Sequence, residues 1–203
     1  MYQQQSLQNF LERLASGDPT PGGGSAAAVM GAMGAALVSM VANLTIGKPR
    51  YRPVEDDMRR LLARADSLRA RLSDAMEADV DAFNRVMAAY RLPKDDPGRS
   101  EAIQTALKQA TEVPLQCAHL CVAVIELCRE AADKGNSNVL SDVGVGVLAA
   151  HAALKSCAIN VTVNLNAIHD PGFIAAKRAE LESLLAGRDE EVANLYDQVL
   201  ARL

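Results

Sequence analysis

Apolar residues recur three and four positions apart almost from the start of the chain. Leu7, Phe10, Leu11 and Leu14 fall at i, i+3, i+4 and i+7 behind Ser6, which can cap a short first helix that Gly17 ends. From Val54 to about Tyr90 a second stripe carries Met58, Leu61, Leu62, Ala65, Leu68, Leu72, Met76, Phe83, Val86, Met87 and Tyr90, roughly ten turns of amphipathic helix. Leu92-Pro93-Lys94-Asp95-Asp96-Pro97-Gly98 breaks it, and Ser100 can cap the next helix. Pro114 should kink or interrupt that helix before it reaches Lys134 and a stop at Gly135. Asp170-Pro171 then opens two short amphipathic helices split near Gly187.

Two further segments have no stripe, because they are apolar or small on every face. Ser25 to Ile46 holds no charged residue, and Val139 to Leu165 holds few. The first is long enough to cross a bilayer. Its Ala and Gly content, the polar Ser39, Asn43 and Thr45, and the lack of an aromatic belt argue instead for a helix that others approach closely. Both segments are therefore expected in the middle of the fold, with no membrane partner. No stretch alternates with period two, and no linker is long enough to separate independent domains. The expectation is one all-α domain over residues 1–203, a bundle of about seven or eight helices.

Composition sharpens this picture. Of the 203 residues 35 are alanine, none is Trp, and Phe and Tyr together number seven, so the core must pack small and aliphatic side chains. A net charge of -4 supplies no basic stripe for nucleic acid or an anionic membrane surface. The stretch MYQQQSLQNF has neither the positive nor the apolar region of a secretory signal, which points to the cytoplasm. Cys117, Cys121 and Cys128 lie on one predicted helix and Cys157 on another, without CxxC or HExxH spacing. They are expected as small buried hydrophobes with no metal. His119, His151 and His169 show no ligand spacing either.

Three places could carry chemistry. Thr20-Pro21-Gly22-Gly23-Gly24-Ser25 leads into the first small-residue helix, where unpaired N-H groups and the helix dipole attract anionic or carbonyl oxygen. The bland reading is a flexible turn capped by Ser25. Neither a Walker A loop nor a dinucleotide fingerprint fits. Asn136-Ser137-Asn138-Val139-Leu140-Ser141-Asp142 precedes the second such helix. Asn138 can cap it, yet capping does not account for Asn136, Ser141 and Asp142 together. On the long helix Asp79 lies nearer the apolar stripe than Asp81. Lys48, Arg50, Arg52 and Lys94 are cations for a polyanionic tail, or plain surface.

Five ordered segments carry a family resemblance: Pro19-Thr20-Pro21-Gly22-Gly23-Gly24-Ser25-Ala26-Ala27-Ala28; Met40 to Lys48; Ala82-Phe83 with Leu92-Pro93-Lys94; Asn138 with Ser141-Asp142; and Asn160-Val161 with Asn164-Leu165. Together they resemble the cyclodeaminase/cyclohydrolase family, which holds the C-terminal domain of formiminotransferase-cyclodeaminase and stand-alone methenyltetrahydrofolate cyclohydrolases of bacterial one-carbon metabolism. The resemblance implies an all-helical homodimer acting on tetrahydrofolate-bound one-carbon units, with no metal and no nicotinamide. A cyclohydrolase opens the cationic N5-CH-N10 bridge to 10-formyltetrahydrofolate; a cyclodeaminase closes 5-formiminotetrahydrofolate and expels ammonia. The missing formiminotransferase domain favours the first. A non-catalytic folate-binding oligomer is the rival from another class.

Either reaction needs a proton carrier beside a tetrahedral carbon and a site that tolerates positive charge. Asp142 is the first candidate for that carrier. In the alternative, Asp142 grips the aminopyrimidinone edge of the pterin and Asp79 moves the proton. Asn136, Asn138, Ser141 and Asn164 would contact pterin or bridge, and Gly22, Gly23, Gly24 and Ser25 would present N-H groups to substrate oxygen. Lys48 and Lys94 would take the glutamate tail. The N-termini of the two small-residue helices are expected close together, within a subunit or across a dimer interface.

Overall fold

The computed structural model describes residues 5–203, so Met1–Gln4, the start of the stretch read for a secretory signal, lie outside it. Seven α-helices follow one another: α1 (Leu7–Leu14), α2 (Gly23–Asn43), α3 (Glu55–Tyr90), α4 (Arg99–Lys134), α5 (Leu140–Leu165), α6 (Pro171–Leu185) and α7 (Arg188–Leu200). Short 3-10 turns at Pro49–Val54 and Ser137–Val139 join α2 to α3 and α4 to α5, and no strand occurs among the described residues. Punctuation read from sequence works at both ends. The Ser6 hydroxyl accepts from the Asn9 N-H at 3.2 Å, the Asp170 carboxylate accepts from Phe173 at 3.1 Å ahead of Pro171, and Gly187 turns between α6 and α7 at φ 71. Gly17 lies beyond the end of α1, which closes on Ala15.

Helices α2 to α5 form the centre, with α2 packed on α3, α4 and α5, and α7 against α5. The small residues set the spacing. A Cβ on Gly34 would stand 2.8 Å from the Gly146 carbonyl oxygen, so α2 and α5 touch backbone to backbone. They run antiparallel: Gly23 lies beside Asn160, Gly34 beside Gly146, and Thr45 beside Asn136. The expected meeting of their N-termini within one subunit therefore does not occur, and the two ends are separated by the length of α5.

Helices α2, α4 and the segment Ser137–Leu165 are long and apolar enough to cross a membrane. In this fold their mutual packing absorbs much of that apolar surface. Val38, Val41, Val124, Ile125, Val143, Val147 and Leu154 are all buried in one shared core. A smaller core gathers Leu107, Leu115, Val161, Leu165 and Leu181 where α4, α5 and α6 meet.

Three local expectations are corrected. Pro114 does not interrupt α4, which runs unbroken from Arg99 to Lys134. Proline removes the N-H that would bond the Ala110 carbonyl, and the Asn164 side-chain amide donates to that carbonyl instead, at 3.0 Å. Ser100 does not cap α4, whose preceding residue is Gly98. The turn is held by Arg99, whose guanidinium donates to the carbonyls of Leu92 and Tyr90, both at 3.1 Å, beside the C-terminus of α3. Asn138 does not cap α5 either, because its own N-H donates to the Asn136 side chain at 3.1 Å and a 3-10 turn intervenes.

Candidate active site

The triple-glycine loop and Asp79 converge. Gly22 is extended at φ -127, ψ -157, and α2 begins at Gly23, so Ser25 stands inside the first turn instead of capping it. Its hydroxyl is buried and donates to Asp79 Oδ2 at 2.9 Å, with the Met76 carbonyl at 3.4 Å as a longer alternative acceptor. Gly24 is what admits the carboxylate. A Cβ there would lie 2.1 Å from Asp79 Oδ1 and 2.6 Å from Cγ. Asp79 thus occupies the space a side chain would fill at the N-terminus of α2, where the helix dipole favours negative charge.

Burial is the larger influence on Asp79 and pushes its carboxyl above the ordinary carboxylate range, with hydrogen bonds from the Ser25 hydroxyl and backbone N-H opposing it. A carboxylate held in place yet reluctant to stay ionised is suited to accept and return a proton. Asp81, two residues on, points to solvent. Beside Gly23 lies the Asn160 amide, whose oxygen would sit 3.7 Å from a Cβ at that glycine.

Deeper in the core three thiols meet. The Sγ atoms of Cys117, Cys121 and Cys157 lie within 4.8 Å of one another, and all three residues are buried. Sequence spacing did not bring Cys157 to the other two; the packing of α4 on α5 does. Hydrogen bonds from its two neighbours pull the Cys117 thiol down, whereas burial pushes Cys128, which stands apart, up to about 12. His119 pairs with Glu180 and His151 with Asp189, each at 2.8 Å, in cross-helix contacts away from the loop.

The second cluster occupies the far end of α5. By helical rise Asp142 and Asn160 are about 27 Å apart. Asn136 is a buried tether, contrary to its expected place among substrate contacts. Its N-H donates to Thr45 Oγ1 at 2.8 Å, its amide to the Leu44 carbonyl at 2.9 Å, and its oxygen accepts from the Asn138 N-H. Thr45, expected only as a polar residue of the small-residue helix, and Tyr51, whose hydroxyl accepts from the Ser137 N-H at 2.9 Å, complete this junction. Asn138 and Ser141 are exposed and Asp142 half-buried, on the outer side of the first turn. Asn164 lies at the loop end of α5 with its amide committed to Ala110. Lys48 is exposed beyond the C-terminus of α2, remote from Gly22, and Lys94 is exposed in the turn after α3. A single chain therefore unites Gly22, Gly23, Gly24, Ser25 and Asp79, and separates them from Asn136, Asn138, Ser141, Asp142 and Lys48.

An unpartnered apolar face links the two clusters. On α2 it exposes Met33 and Met40, and on the neighbouring α5 Val145, Leu148, Ile159 and Val163, the last two more than 60% exposed. Leu44 continues it toward Asn136.

A sequence profile described as Formiminotransferase-cyclodeaminase matches residues 6–183. The chain is 48% identical over 203 residues to a methenyltetrahydrofolate cyclohydrolase of Methylorubrum extorquens, covering 98% of each chain. It is 34% identical over 200 residues to the formimidoyltransferase-cyclodeaminase of Sus scrofa, covering 97% of this chain and 37% of that one. The fold superposes on the crystal structure of formiminotetrahydrofolate cyclodeaminase from Thermotoga maritima with a TM-score of 0.87, 32% identity, and coverage of 100% and 98%.

Proposed function

The chain belongs to the formiminotransferase-cyclodeaminase family, and from that premise we propose that it is a methenyltetrahydrofolate cyclohydrolase, hydrolysing 5,10-methenyltetrahydrofolate to 10-formyltetrahydrofolate. The match over 98% of both chains to a protein of that name favours hydrolysis over deamination. The observation that carries the chemistry is the Asp79 carboxylate, held by Ser25 in the gap left by Gly24. Asp79 accepts a proton from water as its oxygen adds to the cationic bridge carbon. Protonation of N5 by Asp79 then releases the N5-C bond, and the hydroxyl on that carbon gives its proton to the again-ionised Asp79, which passes it to solvent, as the formyl carbonyl forms on N10. The carboxylate also offsets the positive charge of the bridge before attack. This assigns the proton step to Asp79 and leaves Asp142 to bind the pterin edge. The reaction so read uses no metal and no nicotinamide.

We further propose that the working unit is a homodimer formed through the α2/α5 face. Support comes from its apolarity and from the position of the two clusters at its opposite ends. A two-fold axis lying in that face, perpendicular to the helices, exchanges the ends and carries the partner's Asn138-Ser141-Asp142 cluster to this subunit's Gly22-Asp79 cluster. Ser156, Asn160 and Thr162 interrupt the stripe on α5, which suits a protein surface better than lipid.

The test is an assay of purified protein with both substrates. Loss of methenyl absorbance without ammonia release from 5-formiminotetrahydrofolate is expected, unchanged after dialysis against a chelator; ammonia release alone would reverse the assignment. Asp79→Asn and Asp142→Asn should each lower turnover about a hundredfold or more. Mixed after dissociation and reassociation, they should recover about a quarter of wild-type activity, because half the dimers are heterodimers with one intact site of two. No recovery, or monomers by light scattering at micromolar concentration, would refute the shared site.

A further inference from the structure

A groove of about 390 Å³ runs between α2 and α3, one helical turn from the Ser25–Asp79 pair. Its walls are Val29, Ala32 and Met33 on α2 and Met76, Ser73 and Arg69 on α3. Met76 joins it to the proton carrier, since its carbonyl is within reach of the Ser25 hydroxyl that holds Asp79. The helices are antiparallel along it, with Ser25 bonded to Asp79 at one end and Ser39 to Asp66 at 2.9 Å at the other. The groove is thus polarised: aliphatic and thioether side chains line it, a guanidinium stands at its foot, and the Asp79 carboxylate lies beyond its head, three residues past Met76 on α3. Arg69 is the one charged side chain lining it.

We infer that this groove takes the aminobenzoyl-glutamate half of the folate and that Arg69 binds a glutamate carboxylate, an inference that rests on the proposed cyclohydrolase reading. From Asp79 to Arg69 is ten residues of α3, about 15 Å by helical rise. With the bridge carbon at Asp79, that is the span into which an aryl ring, its amide and one glutamate must fit. The flat ring lies over Val29 and Met76, where apolar and thioether contacts favour it. Arg69 is available for exchange. It donates one N-H to Asp66 at 3.3 Å, both side chains are about half exposed, and so open a pair is weakly held. A planar guanidinium also matches a carboxylate bidentately, as the exposed Lys48 and Lys94 ammoniums do not. Lys48 lies at the far end of α2 from Asp79, beyond reach of the same molecule within one subunit.

The experiment compares 5,10-methenyltetrahydrofolate with 5,10-methenyltetrahydropteroate, which lacks the glutamate, in wild type and Arg69→Gln. The expected result is a KM raised tenfold or more for the folate in Arg69→Gln with kcat within twofold, and no further change for the pteroate, which the wild type already binds poorly. Arg69→Lys should recover part of the loss. An unchanged KM in Arg69→Gln, an equal loss on both compounds, or a tail effect confined to Lys48→Gln or Lys94→Gln would overturn the inference. Calorimetry with 5-formyltetrahydrofolate and 5-formyltetrahydropteroate separates it from the reaction. If the wild type turns over no methenyl substrate, yet Arg69→Gln weakens binding of only the glutamylated compound, the groove stands and the cyclohydrolase reading falls. If the wild type binds neither compound, both fall.

Discussion

Gly24→Ala tests the site through one methyl group. Within the first turn of a helix this substitution ordinarily stabilises by about 0.5–1 kcal/mol. Here the methyl would stand 2.1 Å from Asp79 Oδ1, more than an ångström inside ordinary contact, so the carboxylate must move. Its bond from Ser25 is then lost or badly bent. A hydrogen bond to a charged group contributes about 1.5–3 kcal/mol, which corresponds to roughly a ten- to hundredfold change in rate if it is needed to place the base. A displacement of about 1 Å at the reacting centre gives a similar figure, near a hundredfold. The helix gain offsets only part of the bond loss, leaving about 0.5–2.5 kcal/mol, so the melting temperature should fall by about 1–10 °C. The assay is methenyl absorbance loss, beside Gly23→Ala, whose Cβ meets only Asn160 at 3.7 Å and should lose at most a few-fold, and Gly17→Ala, which meets nothing within 4 Å. Gly24→Ala turning over as fast as Gly17→Ala would refute the placement of Asp79 at the reacting centre.

Two other outcomes follow from the same geometry. Because burial raises the Asp79 pKa in the folded protein, the folded state releases this proton less readily than the unfolded chain. Its contribution to stability is present at low pH and declines as pH rises from the ordinary carboxylate range through the raised value. Asp79→Asn should therefore gain melting temperature relative to wild type as pH rises above the ordinary carboxylate range, while wild-type kcat/KM rises through the same raised pKa; a constant difference in melting temperature would count against the burial account. Thr45→Val removes the acceptor of the buried Asn136 N-H and should cost about 1–3 kcal/mol, read as a fall of roughly 2–10 °C by calorimetry. A smaller fall would mean that Asn136 finds another partner.

Helix number and extent were legible because each amphipathic run repeats with the helical period and is bounded by Gly, Pro or a capping side chain, as at Ser6 and Asp170. The caps that failed share a cause. Ser25, Ser100 and Asn138 are good cap residues by type, but contacts between elements hold those turns instead: Asp79 reaches Ser25 from α3, Arg99 at the start of α4 reaches back to the end of α3, and Asn136 holds Asn138 from before the 3-10 turn. Asp79 could be preferred over Asp81 from its place near the apolar stripe. What no local pattern revealed was direction. Antiparallel pairing of α2 with α5 depends on which small residues face each other, and Gly34 against Gly146 sends Asp142 to the end opposite the glycine loop. Arg69 was invisible for a similar reason, since an arginine on a helix reads as solvated surface until a neighbouring helix makes it one end of a groove.

Pro114 and Asn164 also bear on how this chain can change. The proline leaves a carbonyl on α4 without its helical donor, and an amide from α5 fills the vacancy, 50 residues further along the chain. Neither residue is free to drift alone. Asn164→Leu strands the Ala110 oxygen, whereas Pro114→Ala offers that oxygen a second donor and makes Asn164 dispensable. The order of substitution therefore decides its cost: proline first opens a neutral route to losing the asparagine, and asparagine first closes it. An unbroken 36-residue helix through a proline is thus a dependency between two helices, recorded in a pair of positions that no single-residue scan would couple.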